Sequence, residues 1–511
     1  MCATSRKSHC MLNKPGTLSP MTKIRNPSMP KDKIKVLLLE GISDTAAAVF
    51  EASGYRDVVR LPKALQGPEL IAALQNVRIL GIRSRTDLTP DVIAATDRLI
   101  AVGCFSVGTN QVALDAANRK GIPVFNAPFS NTRSVAELTI AEIVMLMRGI
   151  FPKSVGAHHG QWHKNADGAH EIRGKTLGIV GYGNIGSQLS NLAEAMGMRV
   201  IYFDTRDKLR HGNVEPTDTL SDLLARADIV SLHVPETADT QNMIGDNQLA
   251  RMKPGSFLIN NARGTVVDLE ALAAHLKSGH LAGAAIDVFP IEPASNKDGF
   301  VSPLQNIPNV ILTPHIGGST EEAQENIGAE VSRKLVEFSD VGTTQGAVNF
   351  PQVQLPTRPN GTRFIQVHHN VPGELRRLND VFARHNVNIA TQFLQTDAAI
   401  GYVVLDADGT VDDAETVLEE LRDLPGTIRA RMLNPLESRP CSHAHVVTAP
   451  LKPIQASKRV ATSSSEGPST KMSAPLTTAS RRTTPPNPTT NAPPLRAATS
   501  VTPSPTRTTG P

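Results

Sequence analysis

Three polar residues, Arg263, Glu292 and His315, stand just past three late apolar runs of this 511-residue sequence. Arg263 follows the run 256–260, Glu292 follows 284–288, and His315 follows 310–312. In an open α/β sheet ligands bind outside the carboxyl ends of the strands, which places all three on one side. Their types suit hydride chemistry. Oxidising a secondary alcohol needs a base for the hydroxyl proton, and imidazole titrates in the useful range. A carboxylate beside it orients the ring and raises its proton affinity. A guanidinium grips a carboxylate through paired hydrogen bonds and polarises a carbonyl. Taken singly, the histidine reads equally as a loop residue and the arginine as a surface ion pair, so spacing alone leaves catalysis and plain structure both open.

A site for the hydride acceptor lies upstream. The run 177–180 enters Gly181-Tyr182-Gly183-Asn184-Ile185-Gly186 and then a helical pattern. Gly181 permits the tight turn, Gly183 lets the backbone approach a pyrophosphate, and Gly186 allows close helix–strand packing. The helix start offers free N–H groups and the positive end of the dipole. The next run ends in Asp204, 18 residues after Gly186. An acid there accepts ribose hydroxyls and repels a 2′-phosphate, which predicts NAD rather than NADP, with Arg206 as the opposing signal. The plain alternative is a Gly-rich turn, and strand, helix and acid together outweigh it.

These residues need strands to carry them. Short apolar runs such as Ile34–Leu39, Val77–Ile82, Leu99–Gly103 and Ile229–Leu232 alternate with helical patterns. Continuous runs of this length read as buried parallel strands in βαβ units. The stretch 134–150 has helical periodicity, with Ser134 as the expected N-cap and Glu137 three residues on. A second helix is expected over about 321–338. The Pro-rich segment 349–362 reads as a linker and hinge. Beyond it, 363–433 reads as strand, helix, two strands, helix, strand.

Charge is concentrated at the ends. Residues 1–33 carry seven Lys/Arg against one Asp, and residues 461–511 carry five against one Glu, so the rest sums to −6 under a net +4. The basic pI therefore gives no DNA-binding domain, and 4% aromatics argue against a base-stacking platform: no nucleic acid partner is expected. No membrane span or secretory segment is read. Cys2, Cys10, Cys104 and Cys441 are scattered, which predicts neither disulfides nor a metal site and fits a reducing, cytoplasmic setting. The first 33 residues read as a disordered basic leader, with a transit-peptide-like composition that keeps organellar import open. Residues 461–511 hold 10 Pro and 21 Ser/Thr, too little apolar surface to offset ordering, so a disordered tail is expected over 435–511.

Taken together, GIRSRTDLT (81–89), PVFNAPFSNTRSVAEL (123–138), GIVGYGNIG (178–186), LAGAAIDVFPIEP (281–293) and LTPHIGGSTEEAQENIG (312–328) resemble the D-isomer-specific 2-hydroxyacid dehydrogenases, with a C-terminal ACT domain. The resemblance covers about residues 31–434. It implies an α/β fold of two Rossmann-like lobes plus a small α+β ACT domain and disordered termini. The substrate lobe would comprise 34–130 and 320–345, the inserted NAD lobe 131–319, the linker 346–362 and the ACT domain 363–434.

By the same resemblance, His315 would be the acid/base, Glu292 its partner, and Arg263 the holder of the substrate carboxylate. Arg83, Ser84, Arg85 and Asn131 would bind substrate, and two arginines suit an acid that also carries phosphate. Asn184 and Ile185 would lie at the pyrophosphate, Asp204 at the ribose, and His233, Val234 and Pro235 beside the adenine. Asn261, Ala262, Arg263, Asp287, His315, Ile316, Gly317 and Gly318 would flank the nicotinamide. His368, Asn370 and Asn388 would contact serine as effector. The implied reaction is NAD-dependent oxidation of 3-phospho-D-glycerate to 3-phosphohydroxypyruvate, the first step of serine synthesis, by a homotetramer. Reduction of 2-oxoglutarate to 2-hydroxyglutarate is a related expectation. The alternatives are another D-2-hydroxyacid dehydrogenase, such as a glyoxylate or hydroxypyruvate reductase, and a non-metabolic NAD-binding corepressor.

Overall fold

The computed structural model describes residues 30–293, 297–356, 361–408, 411 and 413–433. Residues 1–29 of the basic leader and the tail expected to be disordered lie outside the described residues, but the leader's end does not fit the disorder expected over 1–33: Lys31–Lys33 form a short 3-10 turn in which Lys31 Nζ donates to Ser53 O at 3.3 Å and pairs with Asp340. The first lobe is a five-stranded parallel sheet built from β1 (Lys35–Leu38), β2 (Asp57–Arg60), β3 (Ile79–Ile82), β4 (Ala101–Cys104) and β5 (Val124–Phe125). Their order is β2-β1-β3-β4-β5. The chain reverses direction across the sheet between β1 and β3, and that crevice is where such folds bind ligands.

The second lobe is a seven-stranded parallel sheet. It holds β6 (Thr176–Val180), β7 (Arg199–Phe203), β8 (Glu215–Pro216), β9 (Ile229–Leu232), β10 (Ser256–Asn260), β11 (Leu281–Ile286) and β12 (Val310–Leu312). The order β12-β11-β10-β9-β6-β7-β8 puts the switch point between β6 and β9. β9, β10 and all of β6 but its first residue are buried, as expected for a sheet covered by helices on both faces.

Two helices cross between the lobes. The first, Thr132–Arg148, starts without a side-chain cap. Ser134 is therefore not its N-cap: the hydroxyl lies inside the first turn and meets Thr320 Oγ1 at 2.9 Å, while Glu137 pairs with Arg133 one turn back. The second, Glu321–Val341, is capped by Thr320, which accepts from Ala323 N, and ends at Gly342 in the left-handed region. Its first lobe contact is a helix, Asp44–Ala52, and its buried face (Ile327, Val331, Leu335, Phe338) joins the core of the five-stranded sheet.

The C-terminal unit is an antiparallel sheet of β13 (Arg363–His369), β14 (Ile389–Thr396), β15 (Ile400–Ala407) and β16 (Thr427–Leu433), ordered β14-β15-β13-β16, with helices Glu374–Arg384 and Ala414–Asp423. The helices pack with Phe364, Val403 and Leu405 on one face. The other face, with Ile365, Val367, Tyr402 and Val404, merges into the first lobe's core. The segment before it is not a free hinge over 349–356. Asn349 donates to Leu114 O and Ile122 O and accepts from Val124 N, and Phe350 and Val353 are buried. A proline-rich sequence here still had side chains with partners to bury.

Candidate active site

Both switch points face a common cleft. On the first lobe, Glu40 leaves β1 with φ +61° and is 3% exposed. Its Oε1 accepts the N–H groups of Arg83 and Thr86, and its Oε2 that of Arg85, each at 3.0 Å. The Arg83-Ser84-Arg85 loop after β3 is thus folded around one buried carboxylate, with Arg85 Nε 3.8 Å away. Burial pulls the Arg83 guanidinium below its ordinary value, against the opposing pull of Glu40. Sequence reasoning found the arginines and missed Glu40. The available signal was an acid directly at the end of a buried apolar strand.

On the second lobe, Gly181 has φ +93°, and a Cβ there would sit 2.6 Å from His233 O. Only glycine lets the β6 turn lie this close to the β9 exit. Gly183 opens onto free space, and the helix Asn184–Ala195 begins there with no side-chain cap. Asn184 and Ile185 are its first residues and Gly186 packs against Gly181 O. This cradle of unclaimed N–H groups fits a pyrophosphate. Asp204, past the end of β7, accepts from Tyr182 N at 2.9 Å and Arg206 N at 3.0 Å, which holds its carboxylate beside that turn. Lys208 lies 3.7 Å from it. His233 shares a 2.9 Å hydrogen bond between its Nε2 and Ser231 Oγ; burial lowers its pKa to about 4, which keeps it neutral. Val234 and Pro235 continue that edge.

The reactive end is built where β10, β11 and β12 finish. A Cβ on Gly264 would collide with the Phe289 carbonyl, so this glycine lets the Asn261-Ala262-Arg263 loop touch the loop carrying Glu292. His315 Nδ1 meets Glu292 Oε2 at 2.9 Å and Oε1 at 3.1 Å. Phe289 N donates to Glu292 Oε1. The hydrogen bond that His315 donates to Glu292 raises the His315 pKa, burial opposes it, and the charges of Glu292 and Asp287 add to the rise. Burial pushes the Glu292 carboxyl up, but the His315 bond and charge, the Phe289 N–H and Arg263 bring it below its ordinary value. Nδ1 is occupied, which leaves Nε2 for a substrate.

His315 has φ +54°. Such a conformation costs about 1–3 kcal/mol for a non-glycine residue and persists only where the surroundings fix it. Asp287 does the fixing. Its carbonyl accepts His315 N at 2.8 Å, and its buried carboxylate accepts Ile316 N, Gly317 N and the Thr313 hydroxyl. Asp287 thus organises the His315–Gly318 loop. Gly318 abuts Asn131, whose side-chain oxygen is buried without a protein partner. Asn261 points inward from its loop, donating to Thr139 Oγ1 at 3.0 Å and Glu142 Oε2 at 2.7 Å.

The lobes also touch across the cleft. A Cβ on Gly108 would lie 3.3 Å from Arg263 Nη2, and Glu236 joins Asn110 of one lobe to Thr265 of the other. Gln111 donates to the Arg83 carbonyl, so the Ser106–Gln111 loop ties the two arginine sets together. Sequence reasoning gave this loop no role.

The effector residues are not together. His368 is buried on β13 against Gly401, and Asn370 donates to Asp397 O at the same end of the sheet. Asn388 donates to Asp408 at the other end. β15 separates them by six residues, about 20 Å of strand.

A dinucleotide cradle, a histidine–carboxylate pair and a guanidinium at one cleft define a nicotinamide-dependent dehydrogenase. The NAD binding domain of the D-isomer specific 2-hydroxyacid dehydrogenases matches residues 140–317, and an AHAS small subunit-like ACT domain matches 364–429. The chain is 55% identical over 406 residues to the D-3-phosphoglycerate dehydrogenase of Escherichia coli K12, covering 80% of this chain and 99% of that one. It is 47% identical over 406 residues to that of Dictyostelium discoideum, covering 80% and 98%. Among solved structures, the D-lactate dehydrogenase from Aquifex aeolicus, complexed with NAD and lactic acid, has TM-score 0.53 and 28% identity, covering 60% of this chain and 95% of that one. The chain belongs to the D-isomer-specific 2-hydroxyacid dehydrogenase family, in its ACT-containing D-3-phosphoglycerate dehydrogenase branch. Among the described residues no helix is long and apolar enough to cross a membrane.

Proposed function

We propose that the chain oxidises 3-phospho-D-glycerate to 3-phosphohydroxypyruvate with NAD, opening serine synthesis in the cytoplasm. The observation that carries this reading is the pairing of a His315–Glu292 acid/base with an arginine loop held ready by Glu40. NAD, which the Gly181–Gly186 turn and Asp204 would hold, would supply the acceptor for the hydride on C2 of the substrate. His315 Nε2 takes the C2 hydroxyl proton as the carbonyl forms, and Glu292 on Nδ1 balances the imidazolium charge. Arg263 holds the carboxylate and the oxygen that becomes the carbonyl. Arg83 and Arg85, with Ser84, take the phosphate, and Asn131 contributes at the lobe crossing. Run in reverse, the same groups protonate the alkoxide formed when a 2-oxo acid such as 2-oxoglutarate accepts hydride.

Serine is the proposed effector. Because His368 and Asn370 lie about a strand length from Asn388, each effector site takes His368 and Asn370 from one copy and Asn388 from another. A homotetramer is the proposed assembly. Ile150, Phe151, Val155 and Trp162, all exposed on the arm after the first crossing helix, support an interface there. The test is NADH formation from 3-phosphoglycerate with a carbonyl trap, with and without serine. Activity suppressed by serine is expected. Activity only on unphosphorylated acids supports a glyoxylate or hydroxypyruvate reductase instead, and NADH binding without turnover supports the corepressor reading.

A further inference from the structure

One buried acid has no part in the chemistry above. Glu142 sits mid-way along the first crossing helix and is 1% exposed. Its helix packs into an apolar core that holds Ile143 and Ala136 of the same helix, Leu189 and Ala193 of the dinucleotide helix, and Ile259, Ala285 and Ile311 of β10, β11 and β12. Tyr182 of the β6 turn belongs to the same core, and its hydroxyl is engaged with Ser190. The charge that bears on Glu142 is Asp287, at the end of β11. An apolar pocket and a like charge both disfavour a carboxylate there, and burial raises the Glu142 pKa to about 8 despite the Asn261 hydrogen bond.

Asn261 Nδ2 donates to Glu142 Oε2 at 2.7 Å. The remaining oxygen of each partner, Glu142 Oε1 and Asn261 Oδ1, is buried with no hydrogen-bond partner. Two acceptors left over on two groups already bonded are one proton short. A proton on Glu142 Oε1 donated to Asn261 Oδ1 closes an acid–amide ring and satisfies both, where two orphaned buried acceptors would each bear the cost of lost hydration.

We infer that Glu142 is a neutral carboxylic acid paired with Asn261, and that this pair is the device positioning the Asn261-Ala262-Arg263 loop at the reactive end of the cleft. Glu142 is a positioning residue: it touches Asn261, two residues from Arg263, and reaches no reacting atom. Losing the proton breaks the ring and sets a second carboxylate against Asp287, the residue that holds the His315 loop. Both loops of the active site then loosen together. The inference deepens the dehydrogenase reading and rests on it for its functional half only.

The test uses the full chain and two readouts. Infrared difference spectra across pH should contain the carbonyl band of a protonated carboxylic acid at neutral pH, fading as pH rises through about 8 and missing from Glu142→Gln. Glutamine keeps the ring, donating from its amide to Asn261 Oδ1, but cannot titrate. NADH affinity of the natural chain should fall about tenfold as pH rises through this range, and the fall should flatten in Glu142→Gln. A missing band, or a band that persists in Glu142→Gln, overturns the neutral-acid assignment. An equal alkaline fall in both proteins overturns the positioning role. If NADH binds neither protein at any pH, the dehydrogenase reading fails and the positioning role falls with it, while the infrared band still decides the protonation of Glu142.

Discussion

The Glu292 carboxylate meets His315 Nδ1 through both of its oxygens, at 2.9 and 3.1 Å. This contact fixes the ring's orientation and raises its pKa, so it sets the pH at which the base is available. Oxidation needs neutral His315, and its rate rises as pH climbs through the His315 pKa. Removing the carboxylate in Glu292→Gln lowers that pKa. The acid limb of kcat/KM for oxidation therefore shifts to lower pH, and the alkaline limb of the reduction shifts the same way. His315→Asn should lose about 10²–10⁴-fold in kcat. Steady-state pH profiles in both directions check this.

The same pair carries a stability consequence. His315 has a raised folded pKa, so its contribution is complete below the unfolded value and is lost as pH rises through the folded one. Glu292 has a depressed folded pKa, so its contribution is present above the unfolded value and is lost as pH falls through the folded one. Thermal unfolding across pH should find the natural chain's advantage over Glu292→Gln greatest between these limits and smaller on both sides.

Glu40 holds three backbone N–H groups of the arginine loop. In Glu40→Gln the side-chain amide faces one of them, leaving a buried donor unpaired at about 1–3 kcal/mol. Substrate KM should rise about tenfold with NAD affinity unchanged. Calorimetric titration with NAD beside substrate kinetics separates the two effects.

Arg263 acts through a planar fork that lysine does not reproduce. Arg263→Lys should lose about ten- to a hundredfold in kcat/KM, matching the about 1.5–3 kcal/mol of a hydrogen bond to a charged group. Substituting Asp204 by Ala should weaken NAD about tenfold and narrow the preference over NADP, because the repulsive carboxylate leaves while Arg206 and Lys208 remain.

How legible this was in the sequence depended on the range of the interactions. Gly181 and Asp204 were readable because strand ends and local spacing define them, whereas spacing placed Glu292 and His315 at strand ends and only the family resemblance gave them roles. The βαββαβ order at the C-terminus was readable from its periodicity. Ser134 was misread as a cap because its partner, Thr320, is 186 residues away. Asn349 looked like linker for the same reason: its partners lie on the first lobe. Glu40, Glu142 and the Ser106–Gln111 loop act through contacts made only when separate strands converge; Glu40 alone carried a local sign, an acid at the end of a buried apolar run. The two residues other than glycine and asparagine with positive φ among those described, Glu40 and His315, run against local conformational preference, and each stands at a strand end facing the cleft.

The most direct test of the account is the ratio of kcat/KM for 3-phospho-D-glycerate to that for D-glycerate, with NAD. The arginine loop predicts a preference of about a hundredfold or more for the phosphorylated acid, since two charge-assisted contacts contribute about 1.5–3 kcal/mol each. A ratio near one, or a preference for D-glycerate, would contradict the assignment of Arg83 and Arg85 and with it the proposed substrate.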